Sequence, residues 1–292
     1  MRIITRPDFD GVVCAVLLKE ALGAQIPVQW VQPGEMQAGK VPVGTQDVVA
    51  NLPLHGEVGL WFDHHVSNAV AVPFKGVYRV APSAAGLVQN YFEAQLGRRF
   101  GELVRQTDRI DAAELTLDEI LHPERYPFVL LSMTTFFRDP ADGAYCDRVV
   151  ELLRTLSMER VMADSFVRRR CEEVVATNKM YEACLTDHTS MHGHISVTDL
   201  RGLQSVPDGN RFLVYSLFPD GVVNVKISNE GPYTLVKLGH SILNRGCRVN
   251  VGRLLSQYGG GGHVGAGACR FELQDAQKGI DEILTVLERN EP

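Results

Sequence analysis

Asp8 and Asp10, two residues apart in "RPDFDG", follow an apolar run, "MRIIT", that reads as a strand. In an extended backbone residues i and i+2 face the same side, so the two carboxylates lie together and repel unless a cation sits between them. The plainer alternative has Asp10 capping a helix that begins at Gly11, with Asp8 in solvent. A later strand-like run ends in "GLWFDHHVSN", where Asp63, His64 and His65 are consecutive. Neighbours on a strand point to opposite faces, so these three cannot share one hydrogen bond. Either the strand tip opens into a site or it has merely reached solvent. Near the C-terminus, "YGGGGHVGAGA" sets Gly259 to Gly262 before His263. One glycine suffices for a left-handed helix cap. Four leave backbone N–H groups unobstructed and able to wrap a phosphate, with His263 as a further donor; a hinge is the alternative. No Asp or Glu occurs between Glu230 and Glu272, while Lys237, Arg245, Arg248, Arg253 and Arg270 do, joined by His240 and His263. A basic surround of this kind suits an anionic ligand.

The elements that would position these groups alternate in the first half. "MRIIT", "IPVQWV", "DVVAN" and "GLWF" read as strands, Gly11 to Leu22 as a helix, and Ser83 to Leu96 as another. Strand and helix in alternation imply a largely parallel sheet covered on both faces, whose ligands gather at the carboxyl ends of the strands. Asp8, Asp10 and the Asp63-His64-His65 tip fall at such ends. From Phe100 to about Leu185 the pattern is mostly helical, punctuated by Pro123, Pro127 and Pro140, and "SFVRRRCEEVVATNKMYEACL" reads as one long amphipathic helix whose three arginines form a solvated face. Strands then return at "HISVTDL", "RFLVYSLF" and "VVNVKIS". They are followed by a helix at "VNVGRLLSQY", a strand at "GAGACRFEL" and a closing amphipathic helix at "DAQKGIDEILTVLER". The expected domains are 1–186 and 194–292, joined through the polar stretch "TDHTSMHG".

The 292 residues suffice for two cores, and 45% hydrophobic with 22% charged residues is ordinary globular composition. The longest apolar run, "VVCAVLL", is too short to cross a bilayer and the N-terminus lacks the regions of a secretory signal, so the expected location is the cytoplasm, without membrane association. Six cysteines at wide, irregular intervals form no C-x-x-C pair and read as reduced thiols. A net charge of -6 opposes broad binding along a nucleic-acid backbone and leaves small anionic ligands.

D-x-D after the first strand, D-H-H after a later one and G-G-G-H near the C-terminus together resemble the DHH phosphoesterases with their C-terminal DHHA1 domain, a family of RecJ-type nucleases, nanoRNases and some exopolyphosphatases. The resemblance implies an α/β fold with a mainly parallel-sheet DHH domain, a helical segment, and a smaller α/β DHHA1-like domain. It places metal ligands at Asp8, Asp10, His64 and the aspartate of "QTDRIDA" taken as Asp108, with Asn51 at the position of a bridging ligand. It gives catalytic roles beside the metal to Asp63 and His65, and substrate binding to Gly260, Gly261, Gly262, His263 and Arg245. Two residues depart from the family pattern. Ile4 stands where a histidine is expected, and Asn51, in "DVVANLP", stands where an aspartate would bridge two metal ions. An amide oxygen is a weaker ligand than a carboxylate, so one of the two positions is expected to be impaired. The implied activity is Mn²⁺- or Mg²⁺-dependent hydrolysis of a small phosphorylated substrate, a short oligonucleotide or nucleotide phosphodiester, with polyphosphate as another candidate. The implied partners are that substrate and, in the assembly, a homodimer. The competing reading is a phospho-ligand-binding or regulatory protein whose degenerate metal site no longer hydrolyses.

Overall fold

The computed structural model describes residues 1–136 and 142–292; Pro140, read above as punctuation, lies outside them. The chain divides into two compact units, Met1–Leu115 with Pro123–Val174, and Thr116–His122 with Val175–Pro292.

In the first unit the strands β1 (Ile3–Thr5), β2 (Val28–Trp30), β3 (Val48–Ala50), β4 (Leu60–Asp63) and β5 (Gly76–Tyr78) form an all-parallel sheet in the order β2-β1-β3-β4-β5. The chain winds outward from β1 to β2 on one side and from β3 to β5 on the other. The border of β1 and β3 is therefore the switch point at which such sheets bind ligands. The first five helices are α1 (Phe9–Leu22), α2 (Pro33–Gln37), α3 (Ala84–Tyr91), α4 (Glu93–Leu96) and α5 (Gly101–Asp111). Every residue from Val12 to Leu18 of α1 is fully buried, as expected of a helix that is apolar all round, and it packs against α3, α5 and the helix Asp142–Thr155. This helix begins two residues earlier than expected. Its cap is Asp8, whose Oδ1 accepts the Gly11 N–H at 2.9 Å, and not Asp10. A Cβ at residue 11 would lie 1.9 Å from the Arg6 carbonyl oxygen, so only glycine permits so tight a turn from β1 into α1. The single helix expected over Ser83 to Leu96 is two, α3 and α4, which meet at Phe92.

In the second unit β6 (Thr189–His192), β7 (Ile195–Asp199), β8 (Val223–Glu230), β9 (Tyr233–His240), β10 (Gly261–Gly262) and β11 (Ala266–Glu272) form a six-stranded sheet in the order β10-β11-β9-β8-β7-β6. All its pairs are antiparallel except β7 with β8. The helices Val251–Ser256 and Ala276–Arg289 close its core through Val251, Leu254, Leu255, Ile280, Ile283 and Leu287. "RFLVYSLF", expected as a strand, instead contains the buried helix Leu213–Leu217, because a short apolar run has no periodicity that separates a strand from a buried helix. Residues 186–193 hold the end of the helix Ser165–His188 and β6. Their polar composition is that of an edge strand with its side chains largely in solvent. All six cysteines are unpaired.

Candidate metal centre

The site is assembled at the carboxyl ends of β1, β3 and β4. The first turn of α1 carries Asp10, which is 2% exposed, and its carboxylate reaches the start of α3, accepting the Ala84 and Ala85 N–H groups at 2.9 and 2.8 Å. A buried carboxylate at a helix N-terminus is well placed electrostatically. Burial nonetheless dominates, and with the nearby charge of Asp8 it pushes the Asp10 pKa up to about 7.

Beyond β4 the chain turns His64 and His65 in different directions. The His64 Nδ1 lies 2.9 Å from the Ala81 carbonyl oxygen, which can only accept, so Nδ1 carries a proton and Nε2 is the nitrogen left to ligate a cation. Nε2 is buried without a hydrogen-bond partner and faces two carboxylates, Asp10 Oδ2 at 3.7 Å and Asp111 Oδ2 at 3.4 Å. Asp111, the last residue of α5, sits where the helix dipole disfavours an anion. Burial and the charges of Asp10 and Asp8 raise its pKa to about 7. Ligand atoms of Asp10, His64 and Asp111 lie within 4.8 Å of one another. Around an octahedral ion with bonds of about 2.1 Å, neighbouring ligands stand about 3 Å apart and opposite ones about 4.2 Å, so a small contraction closes this set on a cation. Two carboxyls converging on the Nε2 of an imidazole that is held by a carbonyl on its far nitrogen form a donor set that fits a divalent metal. Two carboxylates with one imidazole suit Mn²⁺ or Mg²⁺.

Asp108, the sequence candidate in "QTDRIDA", is placed differently. Its Oδ1 accepts the Ser83 hydroxyl at 2.5 Å, and Ser83 in turn caps α3 through the Gly86 N–H. Asp108 thus steadies the α3 terminus that holds Asp10, whereas Asp111, three residues on and on the same helix face, joins the cluster. Sequence reasoning did not single out Asp111; the i, i+3 repeat of Asp in "TDRID" was the available signal.

Asp63 and His65 make a separate pair. Asp63 is fully buried, with Oδ1 2.8 Å from His65 Nδ1 and Oδ2 accepting the Asn68 amide at 2.6 Å. Burial lowers the His65 pKa, but the bond to Asp63 and the charges of Asp63 and Asp111 outweigh it and the net shift is upward. The His65 ring meets the His64 ring edge-on at 4.3 Å and its backbone carbonyl accepts the Tyr78 hydroxyl. Held through Nδ1, His65 can present a proton on Nε2.

Asp8 and Asn51 do not join the three clustered ligands. Asp8 Oδ1 accepts from Gly11 and from Asn51 Nδ2, both at 2.9 Å, and Oδ2 pairs with Arg6 Nε at 2.9 Å. Asn51 is 2% exposed and stands at φ 56, a left-handed conformation that Asn tolerates better than most residues. Ile4 is fully buried in the β1 core beside Val49 and Trp61.

The glycine residues, His263 and Arg245 belong to the second unit. A Cβ at Gly260 would lie 2.3 Å from the Ala268 carbonyl oxygen, and one at Gly262, at φ 153, would lie 2.2 Å from that of Ala266. These two are required by the close approach of β10 to β11. Gly261 has nothing within 4 Å of a Cβ, so packing does not explain it. The N–H groups of Gly259, Gly260 and His263 are bonded to Ser256, Leu255 and Ala266, which makes the loop a narrower cradle than four glycines suggest. His263 is exposed in the turn joining β10 to β11, and Arg245, also exposed, lies in the loop after β9, with Nε 3.4 Å from the Ile242 carbonyl. The turn and the loop share one end of the sheet, where the His240 N–H bonds to Gly265. His240 itself is half-buried and bonded to the Val249 carbonyl, and Arg270 pairs with Glu230.

No family model and no curated protein matches the chain. Among solved structures it is similar to the pGpG-specific phosphodiesterase PggH from Vibrio cholerae, with 28% identity, a TM-score of 0.83 and 99% of each chain covered. It shares its fold with RecJ in complex with Mn²⁺ from Thermus thermophilus, with 13% identity and a TM-score of 0.60, over 99% of this chain and 52% of that one. The same holds for an exopolyphosphatase-related protein from Bacteroides fragilis, with 12% identity and a TM-score of 0.56, over 97% and 92% of the chains. With the D-x-D, D-H-H and G-G-G-H motifs lying in a fold this similar over its whole length, the chain is similar to the DHH/DHHA1 phosphoesterases in both motif and fold.

Proposed function

We propose that this chain is a divalent-metal-dependent phosphohydrolase that cleaves a short phosphorylated oligonucleotide, of the dinucleotide size on which the similar Vibrio cholerae enzyme acts by its name. The observation that carries the reading is the buried Nε2 of His64, without a hydrogen-bond partner and facing the carboxyls of Asp10 and Asp111. Asp10, His64 and Asp111 would hold Mn²⁺, or Mg²⁺, which when bound supplies Lewis acidity to the phosphoryl group and a nucleophile near neutral pH. The residues of the chain do the rest. Asp63 fixes a protonated His65 so that Nε2 can give its proton to the leaving oxygen as water's oxygen bonds to phosphorus and the phosphorus–oxygen ester bond breaks, the attacking water's own proton passing to solvent. Asp108 holds Ser83 and the start of α3, and so the Asp10 carboxylate, in place. Gly261, His263 and Arg245 are assigned to phosphate binding on the second unit, Gly261 because no packing contact accounts for it. No described helix is long and apolar enough to cross a membrane. A cytoplasmic location and a homodimer complete the proposal.

The test is hydrolysis of pGpG, other linear dinucleotides, short oligonucleotides and polyphosphate with and without Mn²⁺. Metal-dependent release of mononucleotides that is lost in His64→Ala supports the reading. One observation favours the second reading, a ligand-binding protein without hydrolysis: Asp8 and Asn51 are engaged with each other and with Arg6. Tight binding of a dinucleotide with no turnover under any metal would establish it.

A further inference from the structure

A second cation beside Asp10, His64 and Asp111 would have to draw on Asp8 and Asn51, and these residues do not fit one. Asp8 is committed on both oxygens, to the Gly11 and Asn51 N–H groups and to the Arg6 guanidinium. Asn51 must turn Nδ2, a donor, toward the Asp8 carboxylate, and a donor cannot ligate a metal. Its buried Oδ1 has no partner, but one neutral oxygen is a poor site for a hard divalent ion, which takes several oxygens. The charges agree with the geometry. A second divalent ion with a bridging carboxylate would bring a net charge of about +1 to this place, and Arg6 with a neutral Asn51 brings the same charge.

The Arg6 guanidinium is also free to do more than neutralise. Its Nε pairs with Asp8 and it makes no further hydrogen bond to any described residue, so its terminal nitrogens are open. The side chain is 39% exposed and lines a pocket of about 110 Å³ together with Gln37, Asn51, His65, Ser67 and Asn68. A guanidinium anchored at one edge and open at the other is suited to a bidentate grip on phosphoryl oxygens, and beside Pro33 and Pro53 its pocket offers the polar groups of Asn51, His65, Ser67 and Asn68.

We propose that this centre takes one divalent cation and that Arg6, anchored on Asp8, stands in the place of the second and binds a phosphoryl oxygen of the substrate. The inference rests on the phosphohydrolase reading above. Its test uses the full chain with Mn²⁺ and inorganic phosphate as probes. Calorimetry and electron paramagnetic resonance of the wild type should give one Mn²⁺ per chain with the spectrum of an isolated ion. Arg6→Gln, which keeps the reach to Asp8 and removes the charge, should retain that one ion and weaken phosphate binding to the loaded protein about tenfold or more. Arg6→Lys should recover part of the loss. Arg6→Gln combined with Asn51→Asp should admit a second ion and show an exchange-coupled spectrum. Two ions per chain in the wild type, unchanged phosphate affinity in Arg6→Gln, or a double variant still limited to one ion would each overturn the inference while leaving the phosphohydrolase reading intact. No Mn²⁺ bound by the wild type would instead refute the phosphohydrolase reading itself.

Discussion

Loading the centre with Mn²⁺ should release protons in a number that depends steeply on pH. The Asp10 and Asp111 carboxyls both titrate near pH 7 because burial, and the negative charge each sees in its neighbours, disfavours the ionised form. A carboxyl half-protonated at pH 7 carries about half a proton, so the pair carries about one, and a cation that needs both as ligands displaces it. Release should be larger at pH 6 and smaller at pH 8. Apparent affinity should rise by about tenfold per pH unit around pH 7 and flatten above pH 8. Stability of the metal-free protein moves the other way. A folded-state pKa raised above the ordinary 3.8 stabilises the metal-free fold below about pH 4, and the contribution is lost as pH rises through about 7. Calorimetric titration at pH 6, 7 and 8, repeated in buffers of different ionisation enthalpy, reads the proton count directly. The metal-free Tm should fall from pH 5 to pH 8 more steeply in the wild type than in Asp111→Asn. Proton release near zero at all three pH values would refute the assignment of Asp10 and Asp111 as ligands.

Other substitutions separate neighbouring roles. His64→Ala and Asp111→Asn should each weaken Mn²⁺ binding at least a hundredfold, whereas Asp108→Ala should keep one ion per chain and destabilise the fold by about 1–3 kcal/mol through Ser83, as elemental analysis and denaturant unfolding would show. Asp63→Asn should leave the metal in place and lower kcat with little change in KM, because it disturbs the orientation and charge of His65. Gly261→Ala has open space at its Cβ, so it should fold as the wild type and raise KM for a dinucleotide. Gly260→Ala, whose Cβ would lie 2.3 Å from the Ala268 carbonyl oxygen, should lower Tm by several degrees. A Gly261→Ala variant with unchanged KM on every cleaved substrate would make the loop a structural turn only.

Much of the site was legible in the sequence because its residues are fixed by local chain geometry. Asp10 and His64 sit just beyond strand ends, and strand-helix alternation by itself puts such ends on one edge of a parallel sheet. The D-x-D, D-H-H and glycine motifs carried the family for the same reason: each is a contiguous turn of backbone. The rest depended on contacts between segments far apart in the chain. Asp108 and Asp111 share one helix face, and nothing in "QTDRIDA" says which of them meets His64; the packing of α5 beside α1 and α3 decides that. The sequence marked Asn51 only as a departure from an expected carboxylate. The tertiary structure links it to Asp8, 43 residues away, and Asp8 to Arg6, so that a degenerate ligand position closes on an ion pair. Among the strands, β5, β6, β9 and β10 have no counterpart in the sequence reading, and Leu213–Leu217, with the pattern of a strand, is a helix. Short runs take their conformation from the surface they are pressed against, whereas the long apolar helix α1 and the closing helix Ala276–Arg289 have enough turns for their own pattern to decide. Residue chemistry and backbone reach are local and can be read in order along the chain; which lone pair faces which carboxylate is set only when distant segments close on one another.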